Sequence, residues 1–142
     1  MTGPTSADMR RGSGPRRDDG SASLELAILF PALLLVVVAL VQYGLWFHAR
    51  SLAEAAAAEG VNAARAHGAT LDAGRTRAET FLTDHARDTL TNSTVTATTP
   101  SAGHVMVQVS GRALSLLPFV PGLPVQTSAQ GPVERFTTPG QP

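Results

Sequence analysis

The chain has 142 residues, no Cys and a formal net charge of zero, from 11 basic and 11 acidic side chains. This length fits one domain or two small ones. The lack of Cys excludes disulfides and thiolate-bound metals, and the charge balance argues against a nucleic-acid-binding protein, which carries a basic excess. Charged residues make up only 15% of the chain, against roughly 25% in soluble domains.

The first predicted segment comprises residues 1–20. It is rich in Gly, Arg, Asp, Ser and Pro, and it has almost no large apolar side chain. Such a segment buries too little apolar surface to offset the entropy lost on ordering. We expect residues 1–20 to be a disordered leader.

Residues 24–47 are the one transmembrane candidate in the sequence. Residues 26–41 carry no polar side chain, and Glu25 and Gln42 are the polar members of the whole span. A helix of roughly 20 apolar residues crosses a hydrocarbon core of about 30 Å. More Arg residues precede the span than lie closely after it, which places the leader in the cytoplasm and the C-terminal part of the chain outside. Signal peptides have shorter apolar stretches, so we expect an uncleaved span; a secreted product starting after about residue 49 is an alternative.

The span continues into an Ala-rich stretch at residues 51–66. Because Ala has the highest helix propensity, one helix is predicted over residues 21–67, with Pro31 as a kink near its start. Tyr43 and Trp46 mark the outer membrane–water interface, where amphipathic rings settle. The small Ala side chains would allow another helix to approach closely.

Residues 68–136 are predicted to form a small extracytoplasmic module, and residues 137–142 a loose tail. Apolar residues spaced three and four apart predict a second helix over residues 71–90. Short β-branched or apolar segments predict strands at residues 95–99, 105–109 and 125–136. The expected fold class is α+β: a transmembrane helix continuing into an Ala-rich helix, then one helix and a two- or three-stranded antiparallel sheet.

The sequence contains no pattern typical of a catalytic or cofactor site. The four His have no i, i+4 or H-E-x-x-H spacing. No G-x-S-x-G motif is present, and a phosphate-binding loop needs a Lys, which the chain lacks. We therefore expect no enzymatic activity, no cofactor, no metal and no small-molecule substrate.

Glu25 is the candidate functional residue of the apolar span. A carboxylate costs about 2.5–3.5 kcal/mol at the bilayer centre and less near the edge, so Glu25 either lies at the headgroups or pairs with a positive group. Cutting after Gly20 would make Ser21 the new N-terminus and Glu25 the fifth residue. A free α-amino group on an adjacent subunit would then suit Glu25. As an alternative, Gly20 is simply a flexible residue before the helix.

Two stretches resemble the TadE-like family, the small pseudopilin-like proteins of the tight-adherence (Flp, type IVc) pilus. They are Gly20-Ser-Ala-Ser-Leu-Glu-Leu-Ala-Ile-Leu-Phe-Pro31 and Ala57-Ala-Glu-Gly-Val-Asn-Ala-Ala-Arg65. Leu26 stands where the family usually has an aromatic residue. The resemblance implies a bitopic inner-membrane protein that a prepilin peptidase, a membrane aspartyl protease, cuts between Gly20 and Ser21. It also implies that helix packing involves Glu59, Gly60 and Arg65, and that Glu25 sets register by charge pairing.

The sequence thus predicts a structural assembly component, minor and pseudopilin-like, of a tight-adherence pilus or a related type II/IV secretion-like machine. The expected partners are the lipid bilayer, other pilin-like or TadE-like subunits, the pilus assembly platform and the prepilin peptidase, with no nucleic acid. The alternative is a single-pass, membrane-anchored extracytoplasmic binding module unrelated to pili, which predicts an uncut leader.

Overall fold

The computed structural model describes Gly3 and residues 18–133. Most of the expected leader, and the expected tail at residues 137–142, lie outside the described residues. The chain divides into two compact units, Met1–Val37 and Val38–Pro142.

Helix α1 runs from Asp18 to Arg65 and continues through Pro31. It begins within the expected leader and ends two residues before the expected end at residue 67. In the first unit, residues 23–37 are exposed throughout. Among the described residues, α1 alone is long and apolar enough to cross a membrane, which confirms the single predicted span by length and composition.

Helix α2, Leu71–His85, lies in the second unit. Its N-cap is Thr70, whose side-chain oxygen accepts from the Ala73 N–H at 3.1 Å. The predicted end at residue 90 is wrong. The Leu90 N–H bonds to the Ala86 carbonyl at 2.8 Å, in a turn, and Leu90 is buried as the first residue of a strand. Leu90 lies at a helical spacing from the apolar residues of α2, but its side chain belongs to the core of the sheet.

Three antiparallel strands form one sheet in the order β1-β2-β3. They are β1, Leu90–Ser101, β2, His104–Ala113, and β3, Pro124–Pro132. The β1–β2 turn contains Gly103 at φ +78°, a backbone conformation that glycine adopts without steric cost. This sheet confirms the α+β prediction, and each of the first two strands is longer than its β-branched segment indicated.

The core lies between the sheet and the second half of α1. On β2 the alternate residues Val105, Val107 and Val109 are buried, as expected for a strand with one face covered. The buried α1 residues that complete this core are Ala49, Ala53, Ala56, Ala57, Val61 and Ala64. Because most of these side chains are single methyl groups, the α1 backbone lies close to the sheet.

Candidate functional site

The predicted processing and pairing residues all lie in the first unit. Gly20 and Ser21 are within α1. Glu25 is exposed on α1, and its neighbours Leu24 and Leu26 are 66% and 65% exposed. A carboxylate on a helix surface that is otherwise apolar can reach a charge on another molecule, which is the geometry that pairing between subunits requires.

Glu59 connects α1 to α2 through an ion pair. Its Oε2 accepts from Arg77 Nη2 at 3.0 Å and from Arg77 Nε at 3.2 Å. The two side chains are 41% and 53% exposed, so solvent screens the pair and its contribution is about 0–1 kcal/mol. The partner of Glu59 thus belongs to the same chain. The ion pair orients α1 and α2 relative to each other and contributes little to the free energy of unfolding.

Gly60 lies where α1 crosses α2, directly against Gly74. A Cβ at Gly60 would be 2.9 Å from the Gly74 carbonyl oxygen, and a Cβ at Gly74 would be 2.7 Å from the Gly60 carbonyl oxygen. Real side chains essentially never approach a backbone oxygen so closely, so the contact requires glycine on both helices. Gly74 was missed from the sequence, although a Gly inside a helical pattern is a recognisable sign of close packing.

The third packing residue, Arg65, ends α1 beside the end of β3. A Cβ at Gly131 would lie 3.0 Å from Val61 Cγ1 and 3.8 Å from Arg65 Cδ, so the aliphatic stem of Arg65 passes along the strand. The Ala-rich face of α1 packs against other parts of the same chain. That face is covered by the chain's own sheet and α2, because small residues suit a sheet as well as a second helix.

Gln42 makes a contact that sequence reasoning missed. Its Nε2 donates to the Leu114 carbonyl at 3.0 Å, and its Oε1 accepts from the Leu116 N–H at 3.1 Å. One turn later, Trp46 Nε1 donates to the Pro124 carbonyl at 3.1 Å. Trp46 is therefore hydrogen-bonded to the module. A polar amide within an apolar segment needs a hydrogen-bond partner. The position of Gln42 in the span therefore indicated that its side chain would bond to another part of the protein.

An open polar groove lies between α1 and β3. Its lining includes Arg50, Glu54, Gln126 and Thr127. The Arg50–Glu54 ion pair at 2.9 Å neutralises the charged side of the groove, and the Arg50 guanidinium is 5.7 Å from the centre of the Trp46 ring. Within the described part of the chain, Thr127 Oγ1 is buried without a hydrogen-bond partner. The groove offers a polar surface for contact.

A charged cluster lies on the exposed face of α2. Arg75 Nη2 is 2.8 Å from Asp72 Oδ1, and Arg75 Nη1 is 3.7 Å from Glu79 Oε1. The hydrogen bond that Arg75 donates to Asp72, together with the negative charges of Glu79 and Asp72, raises the pKa of Arg75. Among residues 18–133, no three His, Asp or Glu side chains converge as metal ligands.

Comparison with protein families agrees with the resemblance seen in the sequence. The family model described as TadE-like protein matches residues 20–62, which confirms the predicted family likeness for the segment that holds Gly20, Glu25, Glu59 and Gly60. Proteins of this family are associated with the tight-adherence (Flp) pilus. The match covers less than a third of the chain and stops before α2 and the sheet. Comparisons with curated proteins and with solved structures found no match.

Proposed function

We propose that this chain, TadE-like over residues 20–62, is a minor pseudopilin-like component of a tight-adherence pilus or a related type II/IV secretion-like machine. The observation that carries the proposal is residues 23–37 of α1, an exposed apolar stretch with one carboxylate, Glu25. Apolar side chains that the chain leaves uncovered need lipid or the helices of other subunits around them. A pilin-like subunit is surrounded by lipid in the membrane and by the helices of other subunits in the assembled fibre or its assembly platform.

The proposed arrangement is a single pass through the cytoplasmic (inner) membrane. The leader is cytoplasmic and the α2–sheet module is extracytoplasmic, as the excess of Arg before the span favours. A prepilin peptidase cuts between Gly20 and Ser21. The new α-amino group of one subunit then pairs with Glu25 of the next, and this pairing sets the axial register. Each charge alone is costly away from water, and a well-oriented pair offsets that cost.

Contacts within the second unit support an apolar span that is not cleaved from the module. Ala49 is fully buried inside the continuous helix α1. Gln42 and Trp46 precede it and bond to Leu114, Leu116 and Pro124. A cut near residue 49, which the secreted alternative requires, would remove these hydrogen bonds and open the core at Ala49. Retention of the span keeps them intact.

The proposal is tested with Glu25→Ala and Glu25→Gln in a host that builds the pilus. Both variants are expected to resist alkaline extraction from the membrane as the natural chain does, because the apolar span is unchanged. Both are expected to co-purify less with the pilus components, because neither can pair with an α-amino group. Asp84→Asn, which removes an exposed carboxylate of α2, is the control and should co-purify normally. Normal assembly of Glu25→Ala would contradict the register role.

A further inference from the structure

An apolar loop, residues 114–123, joins β2 to β3 and carries no charged side chain. Its large apolar side chains are each at least 40% exposed: Leu114, Leu116, Leu117, Phe119, Val120 and Leu123. Single exposed apolar residues are ordinary on protein surfaces, but a continuous group of them marks a surface that binds something.

Phe119 is the extreme member of the apolar loop. It is 104% exposed, as exposed as in an extended peptide, and its φ is +67°. The left-handed region is uncommon for residues other than glycine and costs about 1–3 kcal/mol. The loop therefore holds its largest apolar side chain outward, in a backbone conformation that is unfavourable for that residue. An apolar environment around the ring would offset this cost.

Gln42 sets the position of the apolar loop along α1. Its side chain bonds to Leu114 and Leu116, and Gln42 itself lies inside the apolar span that ends at Phe47. Five helical residues correspond to a rise of about 7.5 Å. The loop thus lies beside the last turns of the span, near the depth of about 5–10 Å at which interfacial apolar groups bind membranes.

Several backbone polar groups of the apolar loop already have hydrogen-bond partners within the protein, which favours transfer of the loop from water into lipid. Gln42 satisfies the Leu114 carbonyl and the Leu116 N–H, and Ser115 Oγ accepts from the Leu117 N–H at 3.3 Å. Pro118 and Pro121 have no N–H to satisfy. Since an unsatisfied backbone group costs several kcal/mol in hydrocarbon, these features lower the cost of moving the loop into lipid.

We propose that the apolar loop is a second membrane contact, which inserts into the interfacial layer of the leaflet that α1 crosses at residues 42–47. Its ligand is the acyl-chain region of the phospholipids, and Phe119 is the residue inserted farthest. Lipid is the occupant because the loop is continuous with the membrane-spanning surface of α1 through Gln42. The proposal rests on the membrane anchoring by α1 and is independent of the role in a pilus.

Because the chain has no Cys, single labelling sites can be introduced without background. The test uses the full chain in vesicles of phosphatidylcholine and phosphatidylglycerol, at a low ratio of protein to lipid. Phe119→Cys and Val120→Cys report on the apolar loop. Leu35→Cys reports on the span, and Ser128→Cys reports on the exposed face of β3. Each site carries an environment-sensitive fluorophore and is quenched with brominated lipid or with aqueous iodide.

The expected result is several-fold stronger quenching by brominated lipid at residues 119 and 120 than at residue 128, with the reverse order for iodide. Trp46 emission, which depends on the contact with Pro124, should stay unchanged and show that the loop remains folded. Iodide quenching at residues 119 and 120 equal to that at residue 128 would overturn the proposal. Shielding from both quenchers would also overturn it, because it would show a protein partner on the loop. Failure of brominated lipid to quench residue 35 would instead refute the anchoring by α1.

Discussion

Gly60 of α1 and Gly74 of α2 lie so close that neither position has room for a methyl group. A Cβ at Gly60 would meet the Gly74 carbonyl oxygen at 2.9 Å, and also Val107 Cγ1 at 3.0 Å. The two helices and the central strand therefore meet at one point. This point fixes the position of α2 on α1, and with it the position of the module on the second half of that helix.

Gly60→Ala is expected to destabilise the module. Overpacking of a tight site costs about 1–3 kcal/mol, and the obstructing atom is a backbone oxygen that cannot rotate away. The gain in helix propensity from Gly to Ala, about 1 kcal/mol, offsets part of this cost, so a net loss of up to about 2 kcal/mol is expected. Denaturant unfolding in detergent, monitored by Trp46 fluorescence, measures it.

Gly44→Ala is the matched control on the same helix, since a Cβ there would meet no atom within 4 Å. It should be neutral or stabilising by up to about 1 kcal/mol. Equal losses of stability in Gly60→Ala and Gly44→Ala would show that the glycine contact does not determine the packing.

Thr127→Val should stabilise the module by about 1 kcal/mol. Thr127 Oγ1 is buried and has no partner among the described residues, and a buried unsatisfied hydroxyl carries a desolvation penalty. Valine keeps the shape and removes that penalty. Thr91→Val is the control with the opposite expected sign, because Thr91 Oγ1 donates to the Arg112 carbonyl at 3.2 Å. Chemical denaturation compares the two, and a destabilised Thr127→Val would mean that its hydroxyl is satisfied.

Gln42→Leu should release the start of the apolar loop from α1. It removes both hydrogen bonds and leaves the Leu114 carbonyl and the Leu116 N–H without their partner, with a loss of about 0.5–1.5 kcal/mol for each bond. Hydrogen exchange should show faster exchange at the Leu116 amide. The Val107 amide, in the centre of the sheet, should keep its protection. Unchanged exchange at Leu116 would contradict the role of Gln42.

The Glu59–Arg77 ion pair should contribute little to stability. Both side chains are well exposed, and the coupling energy of such a pair is typically below about 1 kcal/mol. A double-mutant cycle with Glu59→Ala and Arg77→Ala measures it. The coupling should shrink in high salt, since the Debye length falls from about 10 Å at 0.1 M to about 3 Å at 1 M. A coupling above about 2 kcal/mol that salt leaves unchanged would show that this pair holds α1 and α2 together.

The elements that local pattern determines were predictable from the sequence. The apolar span is evident from composition, and the strands are evident from β-branched residues such as those around Val107. The end of α2 was not predictable, because Leu90 fits helical spacing and a strand equally well. The partners of Gln42 and Gly60 lie far along the chain at Leu114 and Gly74, and no local rule connects them. The family likeness around residues 20–25 was visible because it depends on contiguous residues.

The N-terminus of the membrane-extracted protein, from cells that contain the prepilin peptidase, tests the central claim most directly. Mass spectrometry of semi-specific peptides identifies it. Pseudopilin-type processing predicts a start at Ser21, with Glu25 as the fifth residue. It also predicts that Gly20→Asp, which alters the residue before the cut, prevents this processing. A start at Met1 or Thr2 in the natural chain would contradict the claim and leave a membrane anchor with an uncut leader.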